Sequence, residues 1–326
     1  MASARKDIPL SVFIELTHRC NLQCYYCYQK SYTPAAEMSF SQWERVMQAL
    51  AEMESLYITF SGGEPFLRPD CMEIVSSARK HDLAVSIITN GILITEPIVK
   101  KLEEQGILDI GISLHAADEK LHDRLTTMPG SFRLALSAIR LCVKAGIKVV
   151  IKHSVSNANF GQYADLQHLA ESEGCAFECD SMILPMNKGE TSPYALNHEQ
   201  HFMFLKDMYT PTLMNCVSSK EASRPLCEAG TSLCGISPSG DVFPCIILPI
   251  SLGNLQNSSF RDIWYGEKSV EFRKQKERIE EACKKCSQNI MCSRCHAVAY
   301  FETKKGAAKS ENLCARSDAF AQLSIE

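Results

Sequence analysis

The run Glu15-Leu-Thr-His-Arg-Cys20-Asn-Leu-Gln-Cys24-Tyr-Tyr-Cys27 sets three thiols on one loop, directly behind an apolar, strand-like segment. Cys20, Cys24 and Cys27 in this CxxxCxxC spacing can hold three irons of a cubane, because soft thiolates suit iron–sulfur chemistry. No fourth cysteine follows closely enough to complete the set. One iron is then left to bind a small molecule, a position that electron-transfer ferredoxins normally fill. Zinc, often held by paired CxxC units, stays open as the alternative on spacing alone.

The loop belongs to a repeating pattern. Short apolar runs at 10–17, 56–60, 84–88, 108–113, 147–154 and 176–183 alternate with longer helical stretches at 40–53, 70–81, 95–105, 131–145 and 160–173. Such runs suit parallel strands covered by helices. Ser39 stands where the first helix starts, and Gly106, Gly146 and Gly174 follow later ones as stop signals. Six strands with intervening crossovers predict an α/β sheet curling as a right-handed open or partial barrel. The active site of such a sheet lies at the strand C-terminal ends, where the cysteine loop falls. Beyond Pro185 the character changes: 197–209 reads as a further helix, 211–226 is polar and irregular, and cysteines become frequent from Cys227. The expected division is 1–204 for the barrel, 205–226 for a bridging segment and 227–326 for a cysteine-rich domain.

Composition narrows the function. The 326 residues carry a formal net charge of −4, which gives no electrostatic case for nucleic acid as a partner. No segment approaches the ~20 apolar residues of a membrane span, and 1–10 lacks a signal-peptide core, so a cytoplasmic protein with no membrane partner is expected. In a reducing compartment the 16 cysteines read as metal ligands rather than as a disulfide framework. Cys71, Cys142, Cys175 and Cys179 fit no ligand pattern and read as small buried hydrophobes. Cys216, in a polar stretch, leaves a catalytic thiol open.

Strand two runs into Ser61-Gly62-Gly63-Glu64-Pro65, where glycines let the backbone approach a ligand and a carboxylate is offered to an ammonium group. With Tyr26 in the aromatic place before Cys27, the two motifs together resemble the radical S-adenosylmethionine (SAM) enzymes, whose CxxxCxΦC loop is followed one strand later by a glycine-rich motif. The resemblance implies a six-fold partial barrel of TIM-like (β/α)6 type. It also implies that Gly62, Gly63 and Glu64 bind the SAM amino group and that Asn90 lines the pocket. Ser113 takes the position that contacts the ribose or carboxylate, and Lys152, Ser154 and Leu184 fall at further cofactor contacts. One departure is local. Relatives often carry HDxxRG before PGSF, and here Thr126 stands in the arginine place of His122-Asp-Arg-Leu-Thr-Thr-Met-Pro-Gly-Ser-Phe132, with Arg124 as a substitute candidate.

The C-terminal pattern is Cys227-x12-Gly240-x4-Cys245, then Cys283-x2-Cys286-x5-Cys292-x2-Cys295, then Cys314. Zinc ribbons are the alternative on spacing alone. The pattern resembles the SPASM domain of radical SAM enzymes, with x2 in place of the usual x3 in the last pair. The resemblance implies two auxiliary [4Fe–4S] clusters, three in all. One would take Cys227, Cys234, Cys245 and Cys295, and the other Cys283, Cys286, Cys292 and Cys314. With these positions filled, no iron open to substrate is expected there.

The SPASM resemblance points to enzymes that modify peptides. Sulfatase-type maturases place a general-base aspartate after the cysteine matching Cys245, and this chain has Ile246. Gly240-Asp-Val-Phe-Pro-Cys245, Gly253-Asn-Leu, Ile263-Trp264 and Ser181-Met-Ile-Leu-Pro-Met-Asn-Lys-Gly189 resemble the maturases of ribosomally synthesised peptides (RiPPs). The expected activity is therefore a C–C or C–S cross-link installed through a 5′-deoxyadenosyl radical that takes a substrate hydrogen. Expected partners are a peptide substrate and a flavodoxin- or ferredoxin-type reductant. Fewer than ten residues precede strand one, so leader recognition is expected to use a separate leader-binding protein, another surface of this chain, or nothing. The alternatives are a dehydrogenase or epimerase of a sugar, aminoglycoside or other small molecule, and a non-catalytic electron carrier, which would need neither GGEP nor an open iron.

Overall fold

Six short runs become strands because β-branched and aliphatic side chains alternate with residues facing the opposite side of the sheet. They are β1 (Ser11–Thr17), β2 (Tyr57–Gly62), β3 (Ala84–Thr89), β4 (Asp109–Ser113), β5 (Val149–Ser154) and β6 (Ala176–Asp180). The computed structural model describes residues 7–31, 36–184, 192–208, 227–286, 294–303, 310, 313–314 and 316–318. Each strand from β1 to β6 pairs in parallel with the next, as right-handed crossovers require. The crossovers carry α1 (Phe40–Glu52), α2 (Cys71–Lys80), α3 (Glu96–Gln105), α4 (Glu119–Thr126), α5 (Ser131–Lys144) and α6 (Gln162–Ser172). α4 is a short helix where no helical run was predicted. Only Leu125 of its aliphatic residues is buried, too little to show a periodic face.

Val12, Ile14 and Leu16 of β1, Ile58 and Phe60 of β2, and Trp43, Met47 and Leu50 of α1 belong to one buried core. Each such side chain removed from water contributes about 1.5–3 kcal/mol. Cys71 and Cys142 are buried in the same core, as the sequence predicted, while Cys175 and Cys179, expected to be buried too, pack only half-buried against apolar clusters.

The cysteine-rich end continues the barrel's sheet. After α7 (His198–Met208) come β7 (Leu233–Ile236), β8 (Asp241–Phe243), β9 (Gly253–Asn254), α8 (Phe260–Tyr265), α9 (Glu267–Lys284) and α10 (His296–Thr303). β7 pairs in parallel with β1, setting Cys234 opposite Val12 and Ile236 opposite Ile14. β8 and β9 then add antiparallel, so the sheet order is β6-β5-β4-β3-β2-β1-β7-β8-β9. Trp264 of α8 is fully buried in the barrel core, and its indole N–H donates to the Asp7 carbonyl at 2.7 Å. Residues 209–226, which hold most of the expected bridging segment and Cys216, lie outside the described residues. Among the described residues no helix is long and apolar enough to cross a membrane.

Candidate active site

Cys20, Cys24 and Cys27 follow the C-terminal end of β1, as the sequence predicted. The last carbonyls of a helix lack intrahelical donors, and α4 offers two of its own to this loop. The Gln23 N–H donates to the Thr126 carbonyl at 3.3 Å and the Tyr25 N–H to that of Leu125 at 3.2 Å. The Leu22 N–H and the Asn90 side-chain amide point at the Cys20 sulfur, at 3.4 and 3.8 Å. Such donors favour thiolate over thiol and tune a bound cluster. Beneath the loop, the buried Glu15 accepts from the Tyr28 hydroxyl (2.7 Å) and the Gln29 amide (2.5 Å), with His18 Nε2 at 3.1 Å. Sequence reasoning passed over Glu15; its signal was a carboxylate inside an apolar strand.

Gly62 and Gly63 lie against β1. A side chain at either would run into the Thr17 or Arg19 carbonyl, and the Gly63 and Glu64 N–H groups donate to those same carbonyls at 2.7 and 2.8 Å. Glu64 also has partners within the protein. Its carboxylate is buried and accepts from the Thr89 hydroxyl (2.8 and 2.9 Å), the Asn90 N–H (2.9 Å) and the Phe66 N–H (3.2 Å). Burial outweighs these donors and pushes the carboxyl up to about 7. Glu64 thus also fixes Asn90, whose amide reaches Asn21 Oδ1 at 2.7 Å. Ser113 and Ser154 stand half-buried at the ends of β4 and β5. Lys152 is ion-paired with Glu178 of β6, and Leu184 packs with Leu248, Ala297 and Val298 toward the cysteine-rich end. The structure therefore joins Cys20, the Gly62–Glu64 loop and Asn90, and gives Lys152 and Leu184 other partners.

Tyr26 is buried edge-on to His115 (ring centroids 5.4 Å apart), and His115 stacks on His122 at 5.8 Å. Burial lowers His115 well below the ordinary imidazole range and brings His122 and His153 to about 4, so the three are neutral at pH 7. Tyr26 Oη, His115 Nδ1 and His153 Nε2 are buried with no hydrogen-bond partner among the described residues. Unpaired buried polar atoms are costly, and a polar ligand beside the cysteine loop would relieve that cost. No sequence pattern singled out His115 or His153, which end apolar runs as ordinary polar residues do. Thr126, in the usual arginine place, is satisfied internally by Ser131 Oγ (2.7 Å) and the His122 carbonyl (3.0 Å).

At the other end, Cys227, Cys245 and Cys295 are close enough to feel one another's charge. Each accepts backbone N–H groups: Ala229 and His296 for Cys227, Ile246 and Ile247 for Cys245, and Ala297 and Val298 for Cys295. Cys234 is fully buried on β7 against the barrel core, where it too is close enough to feel the charge of Cys245. Cys283 accepts from Arg294 Nη1 at 3.7 Å, Cys286 is exposed and Cys314 half-buried; Cys292 lies outside the described residues. Among the described residues no three Cys, His, Asp or Glu side chains converge on one ion. A cubane takes its thiolates on separate irons, so these donor sets fit it by their chemistry.

Residues 14–160 match the model of the radical SAM superfamily, and 227–287 match that of an iron–sulfur cluster-binding domain, SPASM. An AdoMet-dependent heme synthase of Methanosarcina barkeri is 30% identical over 92% of this chain and 95% of its own. This chain belongs to the radical SAM superfamily. A PqqA peptide cyclase of Gluconobacter oxydans is 29% identical over 95% of this chain and 91% of its own. Among solved structures, native anSMEcpe with bound AdoMet and the Cp18Cys peptide shares the fold, with a TM-score of 0.77 at 22% identity over 97% of each chain. The cofactors of this radical SAM enzyme are SAM and iron–sulfur clusters, a [4Fe–4S] cluster in the barrel and further ones in the SPASM part.

Proposed function

We propose that this radical SAM enzyme is a peptide maturase that installs a C–C or C–S cross-link in a ribosomally synthesised peptide. The observation that carries the reading is continuity between its two sites. Tyr28 of the cysteine loop and Leu184 beyond β6 share one apolar cluster with Cys245 and Cys295, so the barrel mouth abuts the auxiliary thiols. A long, flexible substrate can span both, and the likeness to the PqqA peptide cyclase runs through both. Cys20, Cys24 and Cys27 would hold the barrel cluster, and the Gly62–Glu64 backbone, Asn90, Tyr26 and Ser113 would hold SAM. Cys227, Cys234, Cys245 and Cys295, and separately Cys283, Cys286, Cys292 and Cys314, would hold the auxiliary clusters. Bound there, SAM and the cluster would supply radical chemistry for taking a hydrogen from the substrate. The chain's own part is to position and to exclude water: α4 fixes the loop, Glu64 fixes Asn90, and the neutral imidazoles offer no charge to the pocket. A cytoplasmic location, a flavodoxin- or ferredoxin-type reductant and a separate leader-binding protein complete the reading.

The likeness to the AdoMet-dependent heme synthase favours a second reading, a small-molecule substrate. Anaerobic SAM cleavage with dithionite separates the two. A short peptide encoded beside this chain's gene is expected to accelerate 5′-deoxyadenosine formation, because an occupied site offers the radical a hydrogen. Acceleration by a tetrapyrrole or amino-sugar, with none by the peptide, selects the second reading.

A further inference from the structure

The two ends of the cysteine loop meet on one carboxyl group. Successive residues of a strand project to opposite faces of the sheet. On β1, Val12, Ile14 and Leu16 enter the core that holds Trp43, Met47 and Leu50 of α1, so Glu15 takes the other face, the inside of the barrel. Its neighbour on β2 is Ser61, the residue before Gly62. Glu15 is only 1% exposed, a depth at which a carboxylate is costly without donors around it. Its partners come from both ends of the loop. His18, two residues before Cys20, sets its Nε2 3.1 Å from Glu15 Oε2. Tyr28 and Gln29, one and two residues after Cys27, donate to Oε1 at 2.7 and 2.5 Å. Two donors on one oxygen fit an ionised carboxylate, which only accepts. α4 grips the middle of the loop, at Gln23 and Tyr25, and Glu15 closes its ends.

We propose that Glu15 is a positioning residue for the barrel cluster: it clasps both ends of the cysteine loop, and its negative charge beneath the loop makes the bound cluster harder to reduce. The clasp fixes how far Cys20 stands from Cys27, a span that a cubane must match. The charge opposes the arrival of an electron nearby, and the low dielectric of a buried site screens that opposition little. Glu15→Gln separates the two effects. The amide keeps an oxygen for Tyr28 and Gln29, and His18 in its other tautomer accepts from the amide nitrogen, while the charge is gone. Glu15→Ala removes acceptor and charge together. The inference rests on the reading that Cys20, Cys24 and Cys27 hold the barrel cluster.

The test uses the full-length protein, reconstituted anaerobically and titrated with reductant while its electron paramagnetic resonance is recorded. The signal that changes when SAM is added belongs to the barrel cluster. In Glu15→Gln the iron content is expected to stay at the parent's value. The midpoint of the SAM-responsive signal is expected to rise by about tenfold in the reduction equilibrium, about 59 mV for one electron, while signals indifferent to SAM keep theirs. Glu15→Ala, checked for folding by circular dichroism, is expected to lose about four irons, one cubane, to a chelator that the parent resists. An unchanged midpoint in Glu15→Gln, or full iron retention under chelator in a folded Glu15→Ala protein, overturns the proposal. If Glu15→Ala does not fold, the midpoint of Glu15→Gln decides. A parent protein with iron but no SAM-responsive signal overturns the cluster reading beneath it, so the two failures are distinguishable.

Discussion

Glu64 orders three groups with one carboxylate, holding the Thr89 hydroxyl, the Asn90 N–H and the Phe66 N–H. Glu64→Ala leaves the Thr89 O–H and the Asn90 N–H buried without acceptors, at about 1–3 kcal/mol each, although the Thr89 oxygen keeps the Gly91 N–H. It should therefore lower stability in denaturant titrations of the apoprotein and also weaken SAM binding, since Asn90 loses its anchor. Unchanged stability with weakened SAM binding would instead point to a direct contact. The histidines give a pH signature. His122 and His153 titrate near 4 in the folded protein and near 6.5 when unfolded, so between those values the unfolded chain binds more protons. Stability is then complete above about pH 6.5 and falls as pH drops toward 4, by on the order of 3 kcal/mol per histidine. His122→Asn keeps an acceptor for the His115 N–H but cannot titrate. Its denaturation midpoint should fall less than that of the parent between pH 7 and pH 4; equal slopes would mean that His122 is not held neutral.

Among the elements, β7 is the joint between the two sites, and Gly235 is its tightest point. A methyl group there meets the Ile246 backbone, an overpacking worth about 1–3 kcal/mol. Gly235→Ala should displace Cys245 and reduce auxiliary iron while sparing the barrel cluster; full iron content would show that the hairpin gives way without cost. The elements differ in how legible they were. β1 to β6 and their covering helices announced themselves because buried parallel strands need continuous apolar runs. β7 buries only Cys234, Gly235 and Ile236, a stretch too short for periodicity, so its pairing with β1 was invisible and the cysteine-rich end read as separate. α4 was missed for a similar reason, although its terminal carbonyls seat the cysteine loop. In the site, cysteine spacing located the thiols but not their faces. Cys234 matches a ligand pattern in the sequence, and the strand register adds that it sits on β7 against the core, beside Cys245. Glu64 was legible as important and illegible as to partner, because its neighbours Thr89 and Asn90 come from the next strand.

Across the whole molecule, one strand serves two centres. β1 ends in the cysteine loop, pairs with the strand that leads into Gly62–Glu64, and on its other edge pairs with the strand that opens the cysteine-rich end. A substrate reaching the barrel mouth is thereby beside Cys245 and Cys295, the geometry an oxidative cross-link needs if the second electron is to leave through an auxiliary cluster. The most direct measurement of this account is the product of a single turnover. Anaerobic enzyme with dithionite, SAM and a peptide encoded nearby, deuterated at the reacting residue, is followed by mass spectrometry of the peptide and of 5′-deoxyadenosine. The account predicts a peptide lighter by its two lost hydrogens, with the deuterium found in 5′-deoxyadenosine and one such molecule formed per cross-link. A peptide of unchanged mass, with deuterium absent from 5′-deoxyadenosine, would contradict it.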